Sequence, residues 1–446
     1  VLYSLAGWVV LHLMLTALGA AGIGWRPAAV LAAAVAAYWL GRRWLPGPEG
    51  RTRLPSDYGW GDGAALLALA AFTVSALSLW NANPDFVFHW GLKGERYFLA
   101  GGVDLAWLAR GWNWVVHPDY PNLLPELYAT SAMAAGRFSA PAMMLWSTIC
   151  FALVLASLRE ALRRAGTGRW VAQATLALLG LALAAYGIGG LSAGGADWLI
   201  ALALAAALPP LLDPATTRGA AQIGVIAAFA AGSKVEGLPL AAGLVVVYGL
   251  RLRAAERRAR RLGGPAAAAA AGWTGNAGST GGPGSAGSTF RPGDAGSPHA
   301  GRRGRSGLRS AAALSLPAAA VALPWLAQVW RYHLFPAFNS GPFLPARAPA
   351  VLAAVTAAAL DPAWQGFGLG LALLPVLVLD RRLRPAAAVA ALQLVFYLQV
   401  YFSVRIDPVA LVMTSFARLV LHLLPVVLTG AAIAVERIWT KRGAAG

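Results

Sequence analysis

Cysteine occurs once in the 446 residues, at Cys150, which excludes an internal disulfide and a cysteine-based metal site. Charge is also scarce. Only 12% of residues are Asp, Glu, Lys or Arg, where a soluble domain carries about 25%. Acids are scarcest, 18 Asp and Glu against 36 Lys and Arg, for a net charge of +18. The basic excess does not point to a nucleic-acid partner. The Arg residues sit in short tracts between apolar runs, where they set membrane orientation. A basic leader with a cleavage site is likewise missing: Val1 opens directly into an apolar run that reads as a first span.

What is present is apolar. Hydrophobic residues make up 58% of the chain and mean hydropathy is +0.60. The apolar runs approach the ~20 residues that cross a bilayer as a helix. The expected fold is an all-α polytopic membrane protein. Runs at 1–21, 28–45, 63–80, 141–158, 170–188, 198–212, 220–231, 238–250, 311–329, 364–379, 385–402 and 409–435 predict about twelve transmembrane helices. A further run at 345–360 is short and reads as interfacial or re-entrant. Three parts follow: a transmembrane bundle over 1–250 with a helical first loop at 81–140, a linker over 251–309, and C-terminal transmembrane helices over 310–446. The linker is Gly/Ala/Ser/Pro-rich, lacks the apolar content to fold and reads as disordered. It opens on RLRAAERRARR, a basic helical run suited to anionic headgroups.

Lysine and arginine fix the orientation. With the tract 41–53 in the cytoplasm, alternation also puts 159–169, Arg218, the linker, 381–384 and the C-terminus there, together most of the basic residues. Both termini then face the cytoplasm of a multi-pass cell-membrane protein. The same alternation places Asp85, His89, His117, Asp119, Lys234, Glu236, His333, Arg405 and Asp407 on the opposite face, with Asp197 near it. Counting basic residues did not require the candidate chemistry to gather on one side.

The densest ionisable and aromatic stretch is Asn81–Glu126. Asp85 follows NANP just after the third run. Pro84 ends the helix there and leaves the carboxylate at the outer surface. It is placed either to take a proton from an attacking hydroxyl or to cap the next short helix. His89 and Lys93 follow at four-residue steps, on one helical face. His117 and Asp119 lie in VVHPDYPNLLPE, where Pro118 and Pro121 restrict the backbone around Asp119 and Tyr120. Asp85, His89, His117 and Asp119 together could bind a divalent cation, although no DxD motif marks one. Most Trp and Tyr of the stretch read as an interfacial belt, with one or two available to stack on a sugar. Lys234 and Glu236, in GSKVEG, sit at the outer end of a hairpin. Lys234 reads as a phosphate ligand or as half of a local Lys–Glu pair. Arg418 lies inside the last span, in SFARLVLHLLP, with His422 one turn on. It requires either an anion such as a lipid phosphate or an acid from another span.

At these residues the chain resembles the GT-C class of integral-membrane glycosyltransferases, which includes protein O-mannosyltransferase-like and lipopolysaccharide sugar transferases. The cues are Asp85 after an early span, FHWGLKGERYF, HPDYPNLLPE, the SKVEG hairpin and the late ARLVLHLLP, running from about Asp85 to Pro425. The resemblance implies a GT-C-like helical bundle with an extracytoplasmic active site. It further implies a polyprenyl-phosphate sugar donor, a glycan, lipid or protein acceptor, and inversion by direct displacement. Asp85 inherits the role of base and Asp119 that of a second carboxylate or site wall. Lys234 and Arg418 match positions that hold the donor phosphate. His89, Lys93, His117, Tyr120, Glu236 and His422 are the remaining candidates for substrate contact. The chain departs from the family in having Asn83-Pro84-Asp85 instead of paired acids, in lacking a large soluble C-terminal domain, and in carrying the insert 251–309. Two other readings compete. A flippase or transporter of a lipid-linked substrate would carry charges near the midplane and show repeated halves. A lipid-binding protein without catalysis would tolerate Asp85→Asn.

Overall fold

In lipid, a backbone amide without a partner costs several kcal/mol, so an apolar run closes its hydrogen bonds within itself as a helix. The computed structural model describes residues 1–44, 58–188, 193–261, 299–334, 341–361 and 367–443. All regular structure among them is helical. Most of the basic tract 41–53 and the centre of the linker lie outside the described residues.

In chain order the first helices are α1 (Leu2–Ala20), α2 (Pro27–Trp44) and α3 (Trp60–Ser78). The first loop is itself helical. A π-helical turn, Asp85–Trp90, runs into α4 (Gly91–Ala100), followed by α5 (Leu105–Leu108) and α6 (Leu123–Ala135). Next come α7 (Ala140–Met143), α8 (Leu145–Ala165), α9 (Arg169–Ile188), α10 (Asp197–Leu212), α11 (Thr217–Ser233) and α12 (Gly237–Arg261). The C-terminal part holds α13 (His299–Arg331), α14 (Ala348–Leu360), α15 (Leu374–Leu379), α16 (Arg384–Ser403) and α17 (Pro408–Gly443).

Among the described residues, seven helical stretches are long and apolar enough to cross a membrane: Leu2–Ala20, Trp60–Ser78, Ala140–Ala165, Gly237–Ala259, Gly307–Arg331, Arg384–Ser403 and Arg418–Thr440. Five shorter apolar helices accompany them. Length and hydropathy thus support seven spans among the described residues and do not by themselves establish the expected twelve. The run at 364–379 shows why: its described part is a 3₁₀ stretch, Phe367–Leu373, and the six-residue α15. The linker ends are helical, since 251–261 extend α12 and 299–309 open α13.

At the centre stands α10. All 16 of its residues are buried, as a helix that is apolar all round must be. It packs on α8, α11 and α17, while α3 packs on α9 and α11 on α13. The α11–α13 approach depends on Gly224, where an added Cβ would lie 2.1 Å from the Ala313 carbonyl oxygen. The second half of the first loop is not peripheral either. In α6, Leu123 through Thr130 are buried.

One end of the bundle is tied by ion pairs among the basic tracts. Asp62 at the start of α3 meets Arg159 at 3.1 Å and accepts the Gln173 amide at 2.7 Å. Asp380 meets Arg437 at 2.9 Å, and Glu436 accepts the Gly168 amide at 2.9 Å. At the other end, the C-terminus of α3, the N-terminus of α10 and the α11–α12 and α16–α17 connections converge, together with the first loop.

Candidate active site

A cavity of about 200 Å³ opens at that convergence. Its lining side chains include ionisable and aromatic groups drawn from distant parts of the chain, among them Asp85, His89, His117, Tyr120, Asp197, Lys234, Glu236 and Arg418. Tyr397, Tyr401 and Ser415 add hydroxyls. Val400, Val404, Ile406, Leu411 and Leu419, from the ends of α16 and α17, make an apolar side.

Asp85 is positioned by its neighbour but one. Asn83 is fully buried, and its side-chain oxygen accepts the Phe86 amide at 3.1 Å. Its side-chain nitrogen donates to the Ala193 carbonyl, just ahead of α10. One amide therefore caps the π-helical turn that carries Asp85 and pins it to the approach to Asp197. The sequence left open whether Asp85 caps this turn. The cap is Asn83, and the Asp85 carboxylate instead accepts from the Arg418 guanidinium. Such single-turn π-helices occur often at functional sites.

Asp197 is the hub. It opens α10 where the helix dipole favours an anion. Its carboxylate meets Lys234 Nζ at 3.1 Å, His422 Nε2 at 3.1 Å and an Arg418 nitrogen at 3.7 Å. Lys234 also reaches Glu236 at 3.0 Å. Burial works against the Lys234 charge, but Asp197 and Glu236 outweigh it and hold the ammonium above its usual pKa. Three carboxylates thus face two permanent cations in one cavity. Arg418 is paired with acids of other elements, as one of its two readings required. Lys234 has both its local partner and Asp197.

The opposite wall is a ring stack. His117 stacks on Tyr120 with centroids 4.5 Å apart, His89 meets His117 edge-on at 4.6 Å, and Lys234 lies over the Tyr120 ring at 5.9 Å. Burial lowers the pKa of both histidines. For His89 the Asp85 charge opposes the shift, while neighbouring cations and His89 itself lower His117 further. Both rings are neutral at pH 7.

Two expected substrate contacts, Lys93 and His422, and Asp119, expected as a second carboxylate or site wall, fall outside the cavity lining. Lys93 is fully buried behind the wall, donating to the carbonyls of His117 at 3.0 Å and Tyr120 at 3.3 Å. It braces the segment that holds His117 at a φ of +49°, a strained value for a residue other than glycine. His422 is also fully buried, between the Tyr397 hydroxyl at 2.5 Å and Asp197. Asp119 does not line the cavity, and its carbonyl accepts the Trp325 indole at 3.0 Å. Among the described residues, no three His, Cys, Asp or Glu side chains gather as metal ligands. The set Asp85, His89, His117 and Asp119 is therefore not assembled around one point.

Burial pushes Lys93 down to about 7, with Asp119 opposing the shift. The unfolded chain then holds one more proton than the folded chain between about pH 7 and 10.5, so stability rises with pH across that window. Thermal unfolding of wild type beside Lys93→Met should show the Tm difference moving in favour of wild type from pH 7 to 9.5. The histidine contributions lie lower, below about pH 6.5, and cancel in the comparison.

The chain matches no family model, no curated protein and no solved structure. The resemblance to the GT-C class rests on the sequence blocks quoted above.

Proposed function

We propose that the chain is a membrane glycosyltransferase that moves a sugar from a polyprenyl-phosphate donor to an acceptor hydroxyl on the extracytoplasmic side. The observation that carries this reading is the cavity's composition. Three carboxylates, of which Asp85 is the one on the first loop, and two cations share it with an apolar side built by α16 and α17. A phosphate needs the cations, a prenyl chain needs the apolar side, and a hydroxyl nucleophile needs the carboxylate.

The chemistry follows from those positions. Asp85 takes the proton of the acceptor hydroxyl as its oxygen attacks the anomeric carbon. The bond from that carbon to the phosphate oxygen breaks, and its electron pair leaves with the phosphate. Arg418 and Lys234 neutralise the charge that develops there. Attack opposite the leaving phosphate inverts the anomeric centre. Asp197, itself met by His422, holds the two cations in place, and the His117–Tyr120 wall bounds the sugar. A lipid phosphate competes with Asp85 for Arg418, so donor binding and release of the base are one event.

This gives a direct test. Polyprenyl monophosphate should bind the purified full-length chain. Arg418→Gln should weaken that binding about 10- to 100-fold, the loss of a hydrogen bond to a charged group of about 1.5–3 kcal/mol. Binding no tighter than that of the uncharged polyprenol, or equal in the variant, would sink the reading.

A further inference from the structure

A second cavity, of about 430 Å³, lies across the 117–122 segment from the first. His117 and Tyr120 face the first cavity, and Asn122 lines the second. Trp325, in the wall of the second, donates its indole N–H to the Asp119 carbonyl at 3.0 Å. The segment thus contributes to the walls of both cavities. The volume falls within the range of about 300–1,000 Å³ for small-molecule sites, and nothing in the proposed chemistry uses it.

Its lining is specific. His12 Nδ1 and Glu126 Oε2 meet at 2.6 Å, both nearly buried, at 6% and 2% exposure. This acid–base pair is self-compensating, so the permanent charge among the lining side chains is that of Arg331, an exposed residue at the end of α13. Trp25 and Trp325 also line the cavity, their ring orientations fixed because each indole N–H is committed to a backbone carbonyl, Leu15 at 3.2 Å for Trp25. Asn122 accepts the Tyr97 hydroxyl at 2.7 Å through its side-chain oxygen, which leaves its amide nitrogen as the group to meet a ligand. Gln328 adds a donor and an acceptor.

These features select among ligands. An acyl chain would cover the His12–Glu126 pair and the two amides without satisfying them, at a cost for each polar group. A sugar ring satisfies these polar groups. Its hydroxyls donate and accept at the amides and the His–Glu pair, and its C–H face lies on the indoles. We propose that this cavity is a binding site for a sugar group, with Trp25 and Trp325 in its wall and hydrogen bonds from Asn122, Gln328 and the His12–Glu126 pair. That this sugar is the acceptor rests on the transferase reading; the binding site itself does not.

The test is saturation-transfer NMR on the purified full-length chain in a detergent without a sugar headgroup, with maltotriose and an α-linked mannotriose as probes. Wild type should transfer saturation to the ring protons of at least one trisaccharide. Gly19→Phe should cut the effect about tenfold, the loss of roughly 1.4 kcal/mol. Gly19 lines the cavity, and a Cβ there meets no atom within 4 Å, so the added ring takes cavity space without striking the backbone. Gln328→Ala, a surface-sparing truncation, should also weaken it. No transfer to either probe, or transfer unchanged in both variants, overturns the proposal. A chain that binds trisaccharide yet consumes no polyprenyl-phosphate donor keeps this site and loses the transferase reading.

Discussion

Asp85→Asn should lower the rate of sugar transfer by about 10²- to 10⁴-fold, the range that general-base catalysis contributes, while leaving the protein folded. Asparagine matches aspartate in size and keeps an oxygen to accept from Arg418, so the contact that joins the first loop to α17 survives the change. Asn83, which shapes the π-helical turn, is untouched. The variant loses the ability to take a proton. Initial rates at saturating donor, with thermal unfolding as the control, separate the two effects. A full rate in Asp85→Asn would remove Asp85 as the base.

Asp197→Ala is expected to cost about 3–5 kcal/mol of stability, the penalty for breaking a buried ion pair and leaving its partner charged. Asp197 is 1% exposed and is met by Lys234, Arg418 and His422. Removing it leaves Lys234 with Glu236 alone, Arg418 with Asp85 alone, and the buried His422 Nε2 without its acceptor. Glu160→Ala, at the other end of the bundle, breaks pairs to Arg163 and Arg164 as well. Those pairs are solvent-screened, so the change should cost no more than about 1 kcal/mol. Comparing the two unfolding midpoints in one detergent checks the prediction. Equal shifts would mean that Asp197 is no hub.

Much of the site was legible because polar residues are costly in an apolar chain and so stand out. Asp85, His89, His117, Tyr120, Lys234, Glu236 and Arg418 all line the one cavity, and the charge alternation had already put the loop residues among them on one face. What could not be read was pairing. Arg418 and Asp85 are 333 positions apart, and a need for a partner does not name the partner. The charge alternation places Asp197 only near the outer face and gives it no role, yet it meets both cations. Asn83 was passed over as part of a turn, because its two hydrogen bonds depend on where the approach to α10 lies. Lys93 was read as facing substrate from its spacing with Asp85 and His89. Four-residue steps set a shared face only on a regular helix, and the wider π-helical turn beneath Lys93 rotates it into the core. The second cavity gave no local signal, because its floor pairs α1 with α6 across 114 positions.

The account is tested most directly by following a radiolabelled polyprenyl-phosphate sugar through the purified, reconstituted wild-type chain with a mixed panel of glycan and lipid acceptors. The prediction is that polyprenyl phosphate accumulates in step with glycosylated acceptor of inverted anomeric configuration. Donor that binds and is recovered intact, or that only changes leaflet, would contradict it and would make the cavity a site for carrying a lipid-linked sugar.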